Sequence, residues 1–187
     1  MPSVEHSPSD EQLMLAYAGG DARAFETLYA RHKAPLYRFV LRSLKSPAEA
    51  EELFQDVWMR AIGARARYRP QAKFTTWLYT IAHNRLIDHW RAKGLTVVSM
   101  DDEERPVAEP VAAPDAEPHR IVEAERTLER LGAAIAALPL VQREAFLLHH
   151  EGELTVAEIA ATTGVNEEAA KSRLRYAMNK LREAIDD

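Results

Sequence analysis

Between Arg60 and Lys93 eight cationic side chains, Arg60, Arg65, Arg67, Arg69, Lys73, Arg85, Arg91 and Lys93, face a single acid, Asp88. Tyr68, Phe74, Trp77, Tyr79 and Trp90 are interleaved with them. Cations neutralise phosphates and aromatic faces stack on unpaired bases, so the chemistry on offer is nucleic-acid binding. A solvated helix face over an aromatic core produces the same composition, and composition does not choose between them. Other chemistries find little support. His149 and His150 with Glu144 and Glu151 form the best metal candidate, but the HExxH spacing is missing and adjacent histidines point to different helix faces. The chain has no cysteine, which excludes disulfides, thiolate zinc sites and thiol nucleophiles. Phosphate-cradling glycine motifs are absent, and no Ser-His-Asp constellation can be argued from spacing.

The whole-chain charge points the other way. The 187 residues carry a net charge of -5, whereas nucleic-acid binders are usually basic. Charge acts where it sits, however. Residues 1–95 hold 14 basic and 10 acidic groups, residues 96–120 hold 2 and 7, and residues 121–187 hold 8 and 12. The 60–93 stretch alone is +7. No apolar run approaches the ~18–20 residues a membrane span requires, and Met1–Gln12 lacks an apolar signal core, so a cytoplasmic protein is expected.

Three segments must position these groups. Residues 1–95 read as a first helical domain. Ser9 with Gln12 resembles a capping box, and Asp21 and Ser46-Pro47 mark two further helix starts. Pro35 is expected to break or kink the second helix. The helix after Pro47 carries Ala50, Leu53, Phe54, Val57, Trp58 and Ala61 on one face, with Glu52, Gln55, Asp56 and Met59 on its opposite flank. A helix from Phe74 to Arg91 is apolar on two sides, with Phe74, Trp77, Leu78, Ile81 and Ala82 opposed by Tyr79, His83, Leu86, Ile87 and Trp90. Such a helix is buried twice or offers one side to a partner. Asn84, Asp88 and Arg91 form a polar stripe between. Asp88 suits an intrahelical pair with Arg85 or Arg91, which leaves Asn84 unexplained.

Residues 96–120 read as a flexible acidic linker with Pro106, Pro110, Pro114 and Pro118 and no helical or strand period. Residues 121–187 read as a second helical domain. Thr155 caps a short helix, Gly164 turns the chain, and Asn166 caps a long final helix, which is the helix-turn-helix signature. Ala170, Leu174, Ala177, Met178, Leu181 and Ile185 form its expected core stripe. Lys171, Ser172, Arg175 and Tyr176 face outward. The fold class is all-α: two small helical domains on a tether.

Three strings, SPAEAEELFQDVWMRAI, FTTWLYTIAHNRLIDHWR and LPLVQREAFLLHHEGELTVAEIAATTGVNEEAAKSRLRYAMNKLREAI, together resemble the bacterial extracytoplasmic-function (ECF) sigma factors of the sigma-70 family. The resemblance covers residues 10–94 and 121–186, with the linker at that family's variable connector. It implies a non-enzymatic transcription initiation factor without cofactor. Its partners would be the RNA polymerase core (the largest-subunit clamp helices and the flap), promoter DNA and an anti-sigma factor. Glu49, Glu52, Gln55, Asp56 and Met59 would dock on polymerase. Arg65, Arg67, Tyr68, Lys73, Asn84, Arg85 and Arg91 would hold and open the −10 element, with Asn84 at a flipped base. Arg143, Lys171, Ser172, Arg173, Arg175 and Tyr176 would read the −35 element, Arg143 as a phosphate contact. Asp101, Asp102, Glu103 and Glu104 of the linker would enter the RNA path of polymerase or act as a spacer. A stand-alone helix-turn-helix regulator is the alternative, but it leaves residues 47–93 without a task.

Overall fold

A computed structural model describes residues 7–95 and 120–186; the acidic linker, with Asp101 to Glu104, lies outside the described residues. Among them are eight α-helices and no strand: α1 (Asp10–Ala18), α2 (Ala22–Ser43), α3 (Pro47–Ala64), α4 (Phe74–Ala92), α5 (Arg120–Ala137), α6 (Leu140–His150), α7 (Val156–Thr163) and α8 (Glu167–Asp186). The all-helical expectation holds, and α5 begins one residue earlier than the sequence suggested.

The starts follow from side-chain caps. Each helix leaves its first N–H groups unsatisfied, and a preceding hydroxyl or carboxylate answers them. Ser9 and Gln12 form a reciprocal capping box. Asp21 accepts from Arg23 and Ala24, and Ser46 accepts from Glu49 with Pro47 in the first turn. The first turn of α4 has no cap of its own; Glu11 of α1 reaches across to accept from the Phe74 N–H at 2.7 Å. Thr155 and Glu158 form a second capping box at α7. Gly164 then takes φ +70°, a left-handed conformation that glycine adopts without a Cβ penalty, and Asn166 accepts from Ala169 at 2.8 Å to start α8.

The break expected at Pro35 does not occur. α2 runs unbroken from Ala22 to Ser43. Proline deletes one backbone donor, and the fully buried Leu36, Phe39 and Val40 that follow hold the helix against its neighbours.

In the first unit α1 to α4 enclose Leu28, Leu36, Phe39, Val57, Trp58, Phe74, Leu78 and Leu86. Tyr17, Phe25, Tyr29 and Trp58 form an aromatic cluster of tilted, stacked and edge-on contacts, with centroids 4.8–6.1 Å apart. After α3 a 3-10 turn at Arg65–Arg67 leads into Tyr68, which the sequence placed at DNA. Its ring is instead 2% exposed and packs edge-on against Trp77 at 5.0 Å and Phe74 at 6.3 Å. Burial pushes its hydroxyl pKa up to about 12. Tyr68 is a core residue of the fold described here.

The second unit, α5 to α8, buries Ile135, Leu138, Leu147, Leu148, Leu154, Ile159, Ala170, Ala177 and Leu181. Met178 and Ile185 are 40% and 43% exposed, against expectation. Met178 stands about 100° round the helix from Ala177, off the buried stripe. Arg143 is another correction. It is 7% exposed, and its guanidinium donates to the carbonyls of Ala136 and Leu138. It clasps the α5–α6 turn and is not presented to phosphate.

Arg143→Ala strands two carbonyls at that turn. It should lower the unfolding free energy by about 1.5–3 kcal/mol in urea titrations, whereas Lys171→Ala on the surface should not. Glu158 offers a pH test. The Thr155 backbone N–H, then Lys73 and the Thr155 hydroxyl, outweigh its desolvation and hold its carboxyl below the ordinary value of 4.5. A depressed folded-state pKa gives stability that is present above the unfolded value and lost as pH falls through the folded one. Glu158→Gln should therefore flatten the decline in melting temperature below about pH 4.5 and cost little at lower pH.

Candidate nucleic-acid and polymerase interfaces

The outer surface of α3 and α4 carries a cleft of about 420 Å³, lined by Arg60, Gly63, Ala64, Arg67, Ile81, Asn84, Arg85 and Asp88. Asp56 organises its cations. It receives Arg60 Nε at 3.0 Å and also pairs with Arg85 Nε, while Arg85 reaches Asp88 at 3.1 Å. Desolvation opposes ionisation of Asp56, but the hydrogen bonds and charges of Arg60 and Arg85 outweigh it and lower its pKa. Asn84 is exposed at the rim, and no described group hydrogen-bonds to its amide. An amide free on both sides offers a donor and acceptors to a base edge. Ile81, Gly63 and Ala64 are the uncharged part of its lining.

The other −10 candidates divide. Arg67 and Arg91 are exposed. The Arg65 guanidinium lies 5.6 Å from the Tyr17 ring centroid and donates to the Ile62 carbonyl. Lys73 bridges to Glu158 of the second unit at 3.0 Å. Arg60 was counted in the basic stretch but not among the site residues. Its i, i+4 spacing from Asp56 was the available signal.

On the α3 flank Glu52 and Gln55 are exposed and Met59 is 65% exposed, an unusual setting for a methionine. Glu49 behaves differently from its neighbours. Lys93 hydrogen-bonds to it and His89 lies 3.5 Å away, tying the start of α3 to the end of α4; the Lys93 hydrogen bond and both charges lower its pKa against a desolvation penalty.

Along α8, Lys171, Arg175 and Tyr176 are exposed, and the Arg175 guanidinium lies over the Tyr176 ring, 5.4 Å from its centroid. Ser172 and Arg173 are half-buried. Arg173 lines a second cleft of about 400 Å³ that faces His83, Asn84, Ile87, Asp88 and Arg91 of α4. Asn84 thus borders both clefts.

The two units meet along α2 and α4 on one side and α6 and α7 on the other. Arg38 and Arg42 hold the Glu151 carboxylate at 2.8 and 2.7 Å. His83 Nδ1 lies 2.6 Å from Glu144 Oε1, and the Tyr79 hydroxyl donates to the Glu151 carbonyl at 3.2 Å. Tyr79 and His83, on the second apolar side of α4, therefore meet the other unit, and Ile87 lines the cleft between the two. The four residues weighed as a metal candidate have separate partners: Glu144 and Glu151 face the first unit, His149 meets the Leu154 carbonyl, and His150 stacks on Phe146. Among the described residues no helix is long and apolar enough to cross a membrane.

Two family models match the chain: Sigma-70 region 2 over residues 28–96 and Sigma-70, region 4 over residues 128–181. The ECF RNA polymerase sigma factor RpoE of Cereibacter sphaeroides is 36% identical over 169 residues, covering 87% of each chain. The RNA polymerase sigma factor CarQ of Myxococcus xanthus is 32% identical over 177 residues, covering 93% of this chain and 96% of its own. The same fold occurs in the sigma factor RpoE of Bartonella quintana, solved with the anti-sigma factor NepR, at TM-score 0.66, 24% identity and coverage of 88% and 98%. It occurs again in CnrH, solved with the cytosolic domain of CnrY, at TM-score 0.68, 23% identity and coverage of 96% and 98%. With both sigma regions in order, and relatives of this similarity along most of their length, the chain belongs to the ECF sigma factors of the sigma-70 family.

Proposed function

We propose that this promoter-directing initiation factor reads the −10 element with the α3–α4 surface and the −35 element with α8, and docks on polymerase through the outer flank of α3. The unit of residues 1–95 acts at the −10 element, 121–187 at the −35 element, and 96–120 joins them. The protein supplies specificity and leaves nucleotide addition to polymerase. It works in the cytoplasm, where an anti-sigma factor holds it, as the structural relatives suggest by their own complexes.

The observation that carries the reading is the unpaired amide of Asn84 above a cleft ringed by Arg60, Arg67 and Arg85. Three guanidiniums can meet phosphates, and the uncharged lining at Ile81, Gly63 and Ala64 leaves room for an unstacked base whose edge the amide can read. Glu52, Gln55 and Met59 support docking, because an acidic flank with one exposed thioether suits a basic partner with an apolar contact. Exposed Lys171 and Arg175, the latter with its guanidinium over the Tyr176 ring, suit major-groove edges and phosphates. Tyr68 and Arg143 are left out of the reading set, since both are buried.

Polymerase core with this protein should initiate at discrete sites on a promoter library, with permanganate-reactive thymines at the −10 element. Uniform, unspecific initiation would overturn the proposal, and tight duplex binding by the free protein without any polymerase effect would favour a stand-alone regulator. Asn84→Ala should reduce open complexes roughly 5- to 150-fold, the equivalent of about 1–3 kcal/mol for one base contact, without changing polymerase affinity. Lys171→Ala should weaken binding evenly across promoters and reduce the salt slope by about one.

A further inference from the structure

Asp56 differs from the residues around it on α3. Glu52, Gln55 and Met59 are exposed on the outer flank, whereas Asp56 is half-buried and reaches toward α4. One of its oxygens, Oδ2, takes two guanidiniums. Arg60 Nε comes from one turn further along α3, at 3.0 Å, and Arg85 Nε comes from α4. Both cations line the 420 Å³ cleft bordered by Asn84, while Asp56 itself does not.

The mode of attachment decides what these cations can still do. A guanidinium carries five N–H donors in a fixed fork. Each arginine is held here through Nε, at the inner edge of that fork. The terminal nitrogens of Arg60 have no partner among the described residues, and Arg85 commits one of its two, to Asp88 at 3.1 Å. Holding the inner edge fixes the plane of the group and leaves outer donors for a second acceptor. A long side chain ordered in advance loses less freedom when a phosphate arrives. One carboxylate thereby orients two cations, from different helices, beside the unpaired amide of Asn84.

Charge alone argues the other way. An acid next to a phosphate-binding cleft repels phosphate, so its removal should tighten binding. Loss of orientation should weaken it. The two effects have opposite signs, which makes them separable.

We infer that Asp56 is a positioning residue for the −10 strand, acting through Arg60 and Arg85, and is not one of the polymerase contacts. The docking flank keeps Glu52, Gln55 and Met59. This assignment rests on the promoter reading proposed above.

The test uses polymerase core saturated with the full chain. The probe is a fluorescent single strand spanning the permanganate-reactive segment of a promoter recovered from the library. Asp56→Asn should weaken its binding at least about fivefold, although a negative charge is removed. In a chain already carrying Arg60→Ala and Arg85→Ala, the same change should leave binding unchanged or tighten it, because only repulsion remains to be lost. That background is read at low salt, where residual binding is measurable. A purely structural defect would persist in it. Glu51→Gln, at an exposed acid of the same helix, should not weaken binding. Asp56→Asn binding as tightly as wild type, an undiminished loss in the double-arginine background, or an equal loss from Glu51→Gln would each overturn the positioning role. So would a fall in the polymerase affinity of Asp56→Asn large enough to account for the change. Weakening by Asn84→Ala but not by Asp56→Asn would overturn the positioning alone and leave the promoter reading intact. A wild-type complex that binds a scrambled strand equally well would overturn both.

Discussion

A carboxylate removed from water must be answered by a cation, and Glu151 finds its answer only in the other half of the chain. Arg38 and Arg42 are separated from it by more than a hundred residues. That one constraint sets much else. It brings the end of α6 onto α2, which lays Gly152 against Tyr79 of α4. It also places Glu144 beside His83 and Glu158 beside Lys73. An apolar junction of the same area would gain stability from every buried methylene and resist separation. A junction keyed by ions gains selectivity of register at little gain in free energy.

A reading surface has a related problem: its cations must be held in place without being neutralised. The first unit solves it by spending acids selectively. Asp56 anchors Arg60 and Arg85 by their Nε atoms, and Glu49 anchors Lys93. Arg67, Arg91 and the Asn84 amide stay uncommitted beside them. Asp56 is charged at neutral pH in any case, and the lowering of its pKa reflects how Arg60 and Arg85 favour that charged form. Cations fixed at their stems lose less side-chain freedom when a phosphate arrives, so more of each contact remains as affinity.

The local grammar of the fold was legible from residues. Caps at Ser9, Asp21, Ser46, Thr155 and Asn166 all sit where hydroxyls, carboxylates and amides precede apolar periods. The two-sided pattern of α4 also announced a second partner surface, though not which surface. Misreadings arose where the answer is tertiary. Tyr68 lies in a basic loop and looks like a stacking platform, yet Phe74 and Trp77 enclose it. Arg143 has the type and position of a phosphate contact, yet two carbonyls at the end of α5 and just beyond it claim it. Pro35 is a strong local breaker that flanking burial overrides. Periodicity reports which face of a helix is apolar; it is silent about which distant side chain will meet a given charge. The pairing of Glu151 with α2 has no local signature for that reason.

The net charge of -5 can now be placed. Acids of the second unit meet cations of the first at Arg38, Arg42 and Lys73, so docking cancels positive potential on the −10 side. Non-specific DNA affinity comes almost wholly from uncancelled cations releasing counterions. The docked protein therefore has little hold on random DNA, and its acidic total adds repulsion. An acidic chain can thus belong to a family of DNA-reading factors, because its positive charge is concentrated at residues 60–93 while most of its acids lie elsewhere in the sequence.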